Sequence, residues 1–196
     1  MLEALAGEVT IPLSIDTRKA AVAQAALRAG ARIVNDVSAL TFDPGMAAVA
    51  ARAEGVCLMH AQGRPETMQD DPRYEDVLLD VFDALEERIR AAEAAGIPRG
   101  RILVDPGIGF GKTLQHNVSL LRRVSLYHAL GCAILIGVSR KRFVGMIGGA
   151  EEARDRMPGS VAVALHAVRQ GVQLIRVHDV KETRQALRLL AAMDGD

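Results

Sequence analysis

The feature that most constrains the fold of this chain is a regular alternation of short apolar runs with longer segments of helical period. The helical segments are predicted to end near Gly30, Gly55, Gly96, Gly131 and Gly171, because glycine readily adopts the left-handed conformation of a helix C-terminus. The apolar runs are IPLSIDT, ARIVNDV, VCLMH, RILVDPG, AILIGVSRK and LIRVHD. Strands that alternate with helices predict a parallel sheet of the α/β class.

Polar residues collect at the C-terminal ends of these predicted strands. They are Asp16, Asn35, Asp36, His60, Asp105, Ser139, Lys141, Arg176, His178 and Asp179. A parallel barrel builds its active site at this end of all its strands, whereas an open doubly wound sheet binds ligands mainly at one switch point. Because every predicted strand carries such residues, we expect a TIM (β/α)8 barrel.

The number of units is smaller than a complete barrel requires. A complete barrel has eight strand–helix units and typically about 250 residues, whereas this chain has 196 residues and about six units. The opening segment LEALAG is typical of the last turns of a helix capped by Gly7. We therefore expect a single barrel domain over residues 1–196 that comprises the third to eighth units and lacks the first two.

Composition excludes several classes of protein. The 24 Lys and Arg residues balance the 24 Asp and Glu residues, so the chain has no net positive charge to attract nucleic acid or an anionic membrane. No run of 18 apolar residues or signal sequence indicates membrane insertion or export. Cys57 and Cys132 lie in short apolar runs without zinc-ligand spacing, which predicts buried reduced thiols and a cytoplasmic protein.

The stretch DPGIGFGKT, residues 105–113, resembles a phosphate-binding loop but fits neither known pattern. Pro106 replaces the first glycine of a P-loop, and Lys112 replaces the third glycine of the dinucleotide-binding pattern. We expect its glycines to let the backbone pass close beneath a flat ligand, where a Cβ atom would clash. Lys112 is expected to reach solvent.

Basic residues follow the last two predicted strands. The GVSRKRFVG segment is expected to bind a carboxylate. The donors would be the backbone N–H groups that open the next helix and the Ser139 hydroxyl. Arg176 and His178 are two residues apart on a strand and therefore face the same way, an arrangement suited to a diphosphate group. For His60 we expect an ordinary hydrogen-bonded core histidine.

Six motifs, in this order, resemble those of the dihydropteroate synthase family, which couples a pterin diphosphate to p-aminobenzoate in folate synthesis. They are SIDT, IVNDV, CLMHAQGRPETMQ, LVDPGIGFGK, GVSRKRFVG and IRVHDVKET, and the resemblance runs from about Ile11 to Thr183. The family has the eight-stranded barrel. Its first two strand loops, N-V-T-P-D-S-F and G-G-E-S-T-R-P-G, have no counterpart in this chain.

The resemblance implies roles for individual residues. Asp105 and Asn35 would hold the pyrimidine edge of the pterin, whose adjacent amino and ring N–H groups suit carboxylate and amide acceptors. Asp16 would contact the other ring edge, Lys141 would donate to the ring carbonyl and nitrogen, and Met59 would pack against the ring face. The remaining pterin contacts would be Gly137, Arg176, Val177 and His178. The expected p-aminobenzoate contacts are Phe110, Ser139, Arg140 and Arg142.

The implied chemistry is displacement of diphosphate from the exocyclic methylene of the pterin by the arylamine. Arg176, His178 and Lys141 are the predicted catalytic residues, and they would orient substrates and stabilise the departing charge. The family also implies Mg²⁺ on the diphosphate, a homodimer and a sulfonamide target. Because the metal loop has no counterpart here, we predict no metal ligand in this chain and expect it to be a poor catalyst on its own.

Two alternatives remain open from the sequence. One is a pterin-binding module without turnover, or a partial barrel completed by a partner chain. The other is a methyltetrahydrofolate-dependent methyltransferase, which shares the pterin-binding carboxylates. The S-R-K and R-V-H-D motifs argue against the methyltransferase, because they serve aminobenzoate and diphosphate binding in the resembled family.

Overall fold

The structure is a computed structural model that describes residues 2–63 and 67–195. Within the CLMHAQGRPETMQ motif, Arg64, Pro65 and Glu66 lie outside the described residues. The strands are β1 (Leu13–Asp16), β2 (Ala31–Asp36), β3 (Gly55–Met59), β4 (Ile102–Asp105), β5 (Ala133–Ile136) and β6 (Leu174–Ile175). The α-helices are α1 (Leu2–Ala6), α2 (Ala20–Arg28), α3 (Met46–Ala50), α4 (Val77–Ala94), α5 (Leu114–Arg122), α6 (Arg142–Gly148), α7 (Met157–Arg169) and α8 (Val180–Asp194). Short 3₁₀ helices cover Arg99–Arg101, Val124–Leu130 and Ala153–Arg156.

The chain divides into two compact units, each assembled from separate segments. The first unit contains Met1–Ala61, Leu79–Pro106 and His128–Ala133. The second contains Gln62–Leu78, Gly107–Tyr127 and Ile134–Asp196. Each of the six strands is followed by a helix, which confirms the predicted α/β fold of six strand–helix units. Its description as one barrel domain over residues 1–196 stays a prediction.

The first unit is built on a parallel sheet of four strands in the order β1, β2, β3, β4. Its register pairs Asp16 with Asn35 at the ends of β1 and β2. It also pairs Met59 with Asp105 at the ends of β3 and β4. Parallel pairing therefore brings the predicted polar residues of these strands to one edge of the sheet, as the sequence indicated.

Apolar side chains hold this unit together. Val34, Val56, Leu58 and Val104 in the strands are completely buried. On α4, the buried residues Val81, Leu85 and Ile89 recur every four positions and form one apolar stripe. Burying a side chain of this size stabilises the fold by about 1.5–3 kcal/mol, so this stripe fixes which face of α4 points inward.

The second unit contains the parallel pair β5 and β6, in which Leu135 lies opposite Leu174 and Ile136 opposite Ile175. The pairing continues one residue beyond β6, where the Arg176 N–H donates to the Ile136 carbonyl over 2.9 Å. Since the strands are parallel, the loops that follow them leave from the same end. These two loops carry the S-R-K and R-V-H-D motifs.

Most of the predicted helix-ending glycines are confirmed. Gly30, Gly96, Gly131 and Gly171 have φ between 67° and 100°, in the left-handed region. The prediction for Gly55 is wrong, because α3 already ends at Ala50 and Gly55 opens β3. Residues 51–54 turn the chain instead, with the Ala53 N–H bonded to the Ala50 carbonyl over 2.9 Å.

The prediction that the two cysteines are buried thiols is also confirmed, and so is the helix before Gly7, although Gly7 itself does not have a left-handed φ. Cys57 and Cys132 are buried free thiols, and burial raises the pKa of Cys132. Helix α1 ends directly before Gly7. No helix within residues 2–63 and 67–195 combines the length and the apolar character needed to cross a bilayer.

Candidate active site

The first unit presents an acidic cluster, which we define as Asp16, Asn35 and Asp105. The Asn35 Nδ2 donates to the Asp16 Oδ2 over 2.7 Å, so each side chain fixes the orientation of the other. Asp105 is the last residue of β4 and only 3% exposed, and its register partner Met59 is also buried. The edge of this sheet thus offers two carboxylates and one amide, groups that can accept hydrogen bonds from a ligand's amino and ring N–H groups.

Asp36 lies next to this cluster in sequence but has a structural role. Its carboxylate accepts the Ser38 N–H at 2.8 Å, the Ser38 hydroxyl at 2.6 Å and the Leu40 N–H at 3.1 Å. The side chain is completely buried. Because these bonds shape the turn after β2, Asp36 provides a contrast with Asp105 for mutagenesis.

The second unit presents a basic cluster, which we define as Ser139, Arg140, Lys141, Arg176 and His178. The Ser139 hydroxyl oxygen accepts the His178 N–H at 3.1 Å and lies 3.0 Å from His178 Nδ1. This contact joins the loop after β5 to the loop after β6. The structure therefore brings together the two motifs that the sequence placed 39 residues apart.

Arg140, a predicted aminobenzoate contact, forms an ion pair within this cluster. Its guanidinium binds both carboxylate oxygens of Asp179, with 3.0 Å between Nε and Oδ2. The hydrogen bonds from Arg140 lower the pKa of Asp179 below its ordinary value. The pair is accordingly complete at neutral pH and is lost only when acid protonates Asp179, below the ordinary carboxyl pKa of about 4.

Arg176 and His178 lie in the loop after β6 and are both exposed. The prediction that they end a strand is wrong in detail, because β6 stops at Ile175. Arg176 lies so close to Gly137 that a Cβ atom at that position would be 2.9 Å from its Nε. Glycine at 137 therefore leaves room for the Arg176 guanidinium. Val177, between the two basic residues, is half-buried.

Lys141 and Phe110 are brought together by the structure. The Lys141 ammonium donates to the Ile108 carbonyl and lies 4.6 Å from the centre of the Phe110 ring. A cation over an aromatic face is attracted by the electron density of the ring. Arg142 is exposed at the first position of α6. The assignments of these residues to substrates stay predictions.

The DPGIGFGKT loop requires glycines because of its backbone conformation. Gly107, Gly109 and Gly111 have φ of 69°, 82° and 64°, values that side-chain-bearing residues rarely adopt. The loop ends at Thr113, whose hydroxyl accepts the His116 N–H over 3.2 Å and caps α5. The predicted close approach beneath a flat ligand remains a prediction, since left-handed turns already require these glycines.

The prediction for Lys112 is wrong. The residue is only 3% exposed, and its ammonium donates to the Phe110 carbonyl over 3.1 Å. It also lies 5.9 Å from the centre of the Tyr74 ring. Because the loop folds back on itself, Lys112 is enclosed and stabilises the loop from within.

Two residues that hold this loop come from the segment after β3 and were not predicted from the sequence. The Gln69 amide donates to the Gly109 carbonyl at 2.6 Å, and the Tyr74 hydroxyl donates to the Gly111 carbonyl at 2.7 Å. These partners are 40 and 37 residues apart in sequence. Contacts at such separation leave no local pattern by which the sequence could have revealed them.

Gly111→Ala is expected to destabilise the protein strongly. A Cβ atom at this position would lie 2.3 Å from the Gln62 carbonyl oxygen, and the left-handed backbone itself disfavours alanine. Backbone strain of about 1–2 kcal/mol and overpacking of about 1–3 kcal/mol together predict a fall in melting temperature of at least about 4 °C. Thermal unfolding followed by circular dichroism measures it.

Gly100→Ala is the matched control for this change. Nothing lies within 4 Å of a Cβ atom added at Gly100, and its φ is outside the left-handed region. The control is expected to melt within about 2 °C of the parent, since surface substitutions rarely exceed about 0.5 kcal/mol. Equal melting temperatures for both variants would show that the DPGIGFGKT loop is not packed as described.

The magnesium ion implied by the family resemblance has no cluster of ligands among the described side chains. Within residues 2–63 and 67–195, no three His, Cys, Asp or Glu side chains are grouped so that they could hold a metal ion. The magnesium expectation stays a prediction, and no chemistry is assigned to a metal held by these side chains.

Comparison with known proteins shows what this chain resembles. A profile of the pterin binding enzyme family matches residues 1–178. The dihydropteroate synthase of Escherichia coli is 42% identical over 192 residues, which cover 98% of this chain and 68% of that protein. The chain thus spans about two thirds of the length of this relative.

Solved structures agree along nearly the whole chain. A Yersinia pestis dihydropteroate synthase with a sulfonamide drug complex is 43% identical, with a TM-score of 0.95 over 99% of this chain and 70% of that one. A Xanthomonas albilineans dihydropteroate synthase in complex with 7,8-dihydropteroate is also 43% identical, with a TM-score of 0.92 over 100% of this chain and 71% of that one.

Proposed function

The chain belongs to the dihydropteroate synthase family of pterin-binding enzymes, and from this premise we propose that it is a transferase in folate synthesis. It condenses 6-hydroxymethyl-7,8-dihydropterin diphosphate with p-aminobenzoate to give 7,8-dihydropteroate and diphosphate. The observation that carries the proposal is the similarity along the whole chain to a relative solved with 7,8-dihydropteroate.

The acidic cluster is assigned to the pterin. Asp105 supports this role because a buried carboxylate at a strand end can accept two parallel hydrogen bonds from the amino and ring N–H groups of the pyrimidine edge. Asn35 shares the pyrimidine edge with Asp105, and Asp16, which accepts a hydrogen bond from the Asn35 amide, contacts the other ring edge. Met59, buried beside Asp105 in the register, packs against the ring face.

The basic cluster is assigned to the anionic groups of the two substrates. Arg176 and His178, both exposed, bind the diphosphate and stabilise the charge that develops as it leaves. Ser139 contacts the carboxylate of p-aminobenzoate, together with Arg140 and Arg142, and Phe110 packs against its ring. Lys141, held above Phe110, donates to the pterin. No general base is required, because the neutral arylamine attacks the methylene carbon as its C–O bond to diphosphate breaks, and the protonated amine that results then loses its proton to water.

A product assay tests this function. The protein is incubated with the pterin diphosphate, p-aminobenzoate and Mg²⁺, and 7,8-dihydropteroate is detected by mass spectrometry. We expect product, formed slowly by this chain on its own, only when both organic substrates are present. Pterin binding without product would favour the binding module, and methyl transfer from methyltetrahydrofolate would favour the methyltransferase.

Several finer properties are part of the proposal. Magnesium accompanies the diphosphate, and the protein forms a homodimer in the cytoplasm. The two reduced buried cysteines support a reducing compartment. Inhibition by sulfonamides is supported by the sulfonamide complex of the Yersinia pestis relative, which is 43% identical to this chain.

A further inference from the structure

Arg140 has an unusual backbone conformation in the middle of the S-R-K motif. Its φ is 60°, in the left-handed region that residues with side chains disfavour. Such a conformation persists only when surrounding contacts hold it in place. The contacts around Arg140 therefore indicate which residues determine the shape of this loop.

Three residues bind Arg140, and we call them the Arg140 cage: Arg156, Ser160 and Asp179. The Arg140 N–H donates to the Ser160 hydroxyl oxygen at 2.9 Å. The Arg140 carbonyl accepts from Arg156 Nη1 at 3.0 Å. With the Asp179 ion pair on its side chain, both backbone polar groups and the guanidinium of Arg140 have partners.

The cage residues are themselves fixed. The Ser160 hydroxyl donates to the Arg156 carbonyl at 2.8 Å, which leaves its oxygen lone pairs directed at the Arg140 N–H. Arg156 also donates through Nε to the Ala150 carbonyl at 3.1 Å and through Nη2 to the Glu151 carbonyl. Ser160 is only 3% exposed. The Arg156 guanidinium thus joins its own 3₁₀ helix to the loop after β5 and to the segment after α6.

We propose that Arg156 and Ser160 are positioning residues of the active site. They hold Arg140 in its left-handed conformation and so set the directions in which Ser139 and Lys141 leave it. In this arrangement the Ser139 hydroxyl meets His178 at 3.0 Å, and the Lys141 ammonium reaches Phe110. The inference rests on the proposed function, in which Ser139 and Lys141 contact the substrates.

A purely structural role makes a different prediction. If Arg156 and Ser160 only join α6 to α7, their loss lowers the melting temperature but leaves ligand affinity unchanged well below melting. If they position the loop, ligand affinity falls even where the protein is fully folded. Ser160→Ala is the mildest probe, because it removes one hydroxyl and keeps the volume of the helix nearly constant.

The experiment titrates 7,8-dihydropteroate at 15 °C into the parent, Ser160→Ala, Arg156→Lys and a control, Arg154→Ala. Arg154 lies on the same 3₁₀ helix as Arg156, but its side chain is 80% exposed. We expect both cage variants to bind at least about fivefold more weakly and the control to match the parent. Unchanged affinity in both cage variants would overturn the inference.

Amide hydrogen exchange separates this inference from the proposed function. The Arg140 N–H is expected to exchange at least about tenfold faster in Ser160→Ala than in the parent, because its acceptor is lost. If the parent does not bind 7,8-dihydropteroate, the proposed function fails, and exchange still decides whether Ser160 holds Arg140. Equal exchange in parent and variant would overturn the positioning role whatever the binding result.

Discussion

Replacing Asp105 with asparagine is expected to weaken pterin binding by at least about tenfold. In the proposed site the carboxylate accepts hydrogen bonds from two adjacent donors on the pyrimidine edge. Asparagine keeps the shape but places an amide donor against one of them. At a residue only 3% exposed, such a mismatch costs about 1–3 kcal/mol and more where a charge is involved, and 1.4 kcal/mol corresponds to tenfold in affinity.

Titration calorimetry with 6-hydroxymethylpterin and a thermal melt on the same samples measure the effect of Asp105→Asn. Its unfolding free energy is expected to change by about 1 kcal/mol, the contribution of a single hydrogen bond. Asp36→Asn is the matched control, since Asp36 is also a buried strand-end carboxylate but accepts bonds within its own turn. The control should lose stability and keep pterin affinity. Unchanged affinity with a lowered melting temperature in Asp105→Asn would reduce Asp105 to a structural residue.

In a complete, catalytically competent version of the enzyme, Arg176→Lys is expected to slow diphosphate release by about 10–100-fold while changing pterin affinity much less. Lysine keeps the positive charge but lacks the planar fork that holds two phosphate oxygens together. Hydrogen bonds to charged groups contribute about 1.5–3 kcal/mol, which sets this range. The rate is followed by a coupled diphosphate assay, and pterin affinity is measured separately by titration.

The control for this change is Arg169→Lys. Arg169 is a surface arginine whose ion pair with Asp194, at 3.0 Å, lies outside both clusters. Exposed ion pairs contribute little, so this variant should turn over at the parent rate. If Arg176→Lys loses pterin affinity and rate in equal measure, Arg176 serves the pterin ring and the leaving group needs another partner.

The sequence allowed the six strand–helix units to be predicted because each strand and helix depends on local patterning. Alternating apolar runs located the strands, and parallel pairing then required their C-terminal residues to lie at one edge. The positions of Asp16, Asn35 and Asp105 therefore followed from periodicity alone. The register that pairs Asp16 with Asn35 was outside the reach of the sequence, since it depends on how neighbouring strands slide against each other.

The errors arose where tertiary contacts override local preference. Lys112 was expected in solvent because lysine is usually exposed, yet its loop folds back so that the Phe110 carbonyl accepts its ammonium. Gly55 was expected to end a helix, but α3 stops at Ala50 and the glycine instead opens β3.

The Arg140 cage shows a second limit of sequence reasoning. Ser160 lies 20 residues and Asp179 39 residues beyond Arg140, and neither spacing matches the period of a helix or strand. The left-handed backbone conformation of Arg140 also leaves no pattern in the neighbouring sequence, because the partners of Arg140 impose it. Such residues can be found only once the backbone brings the segments together.

The most direct test of the account is a crystal structure of the protein with bound 6-hydroxymethylpterin. We predict that the amino group and the neighbouring ring N–H of the pterin each lie within about 3.2 Å of an Asp105 carboxylate oxygen. A pterin bound away from Asp105, or one whose pyrimidine edge faces other groups, would contradict the assignment of the acidic cluster and the function built on it.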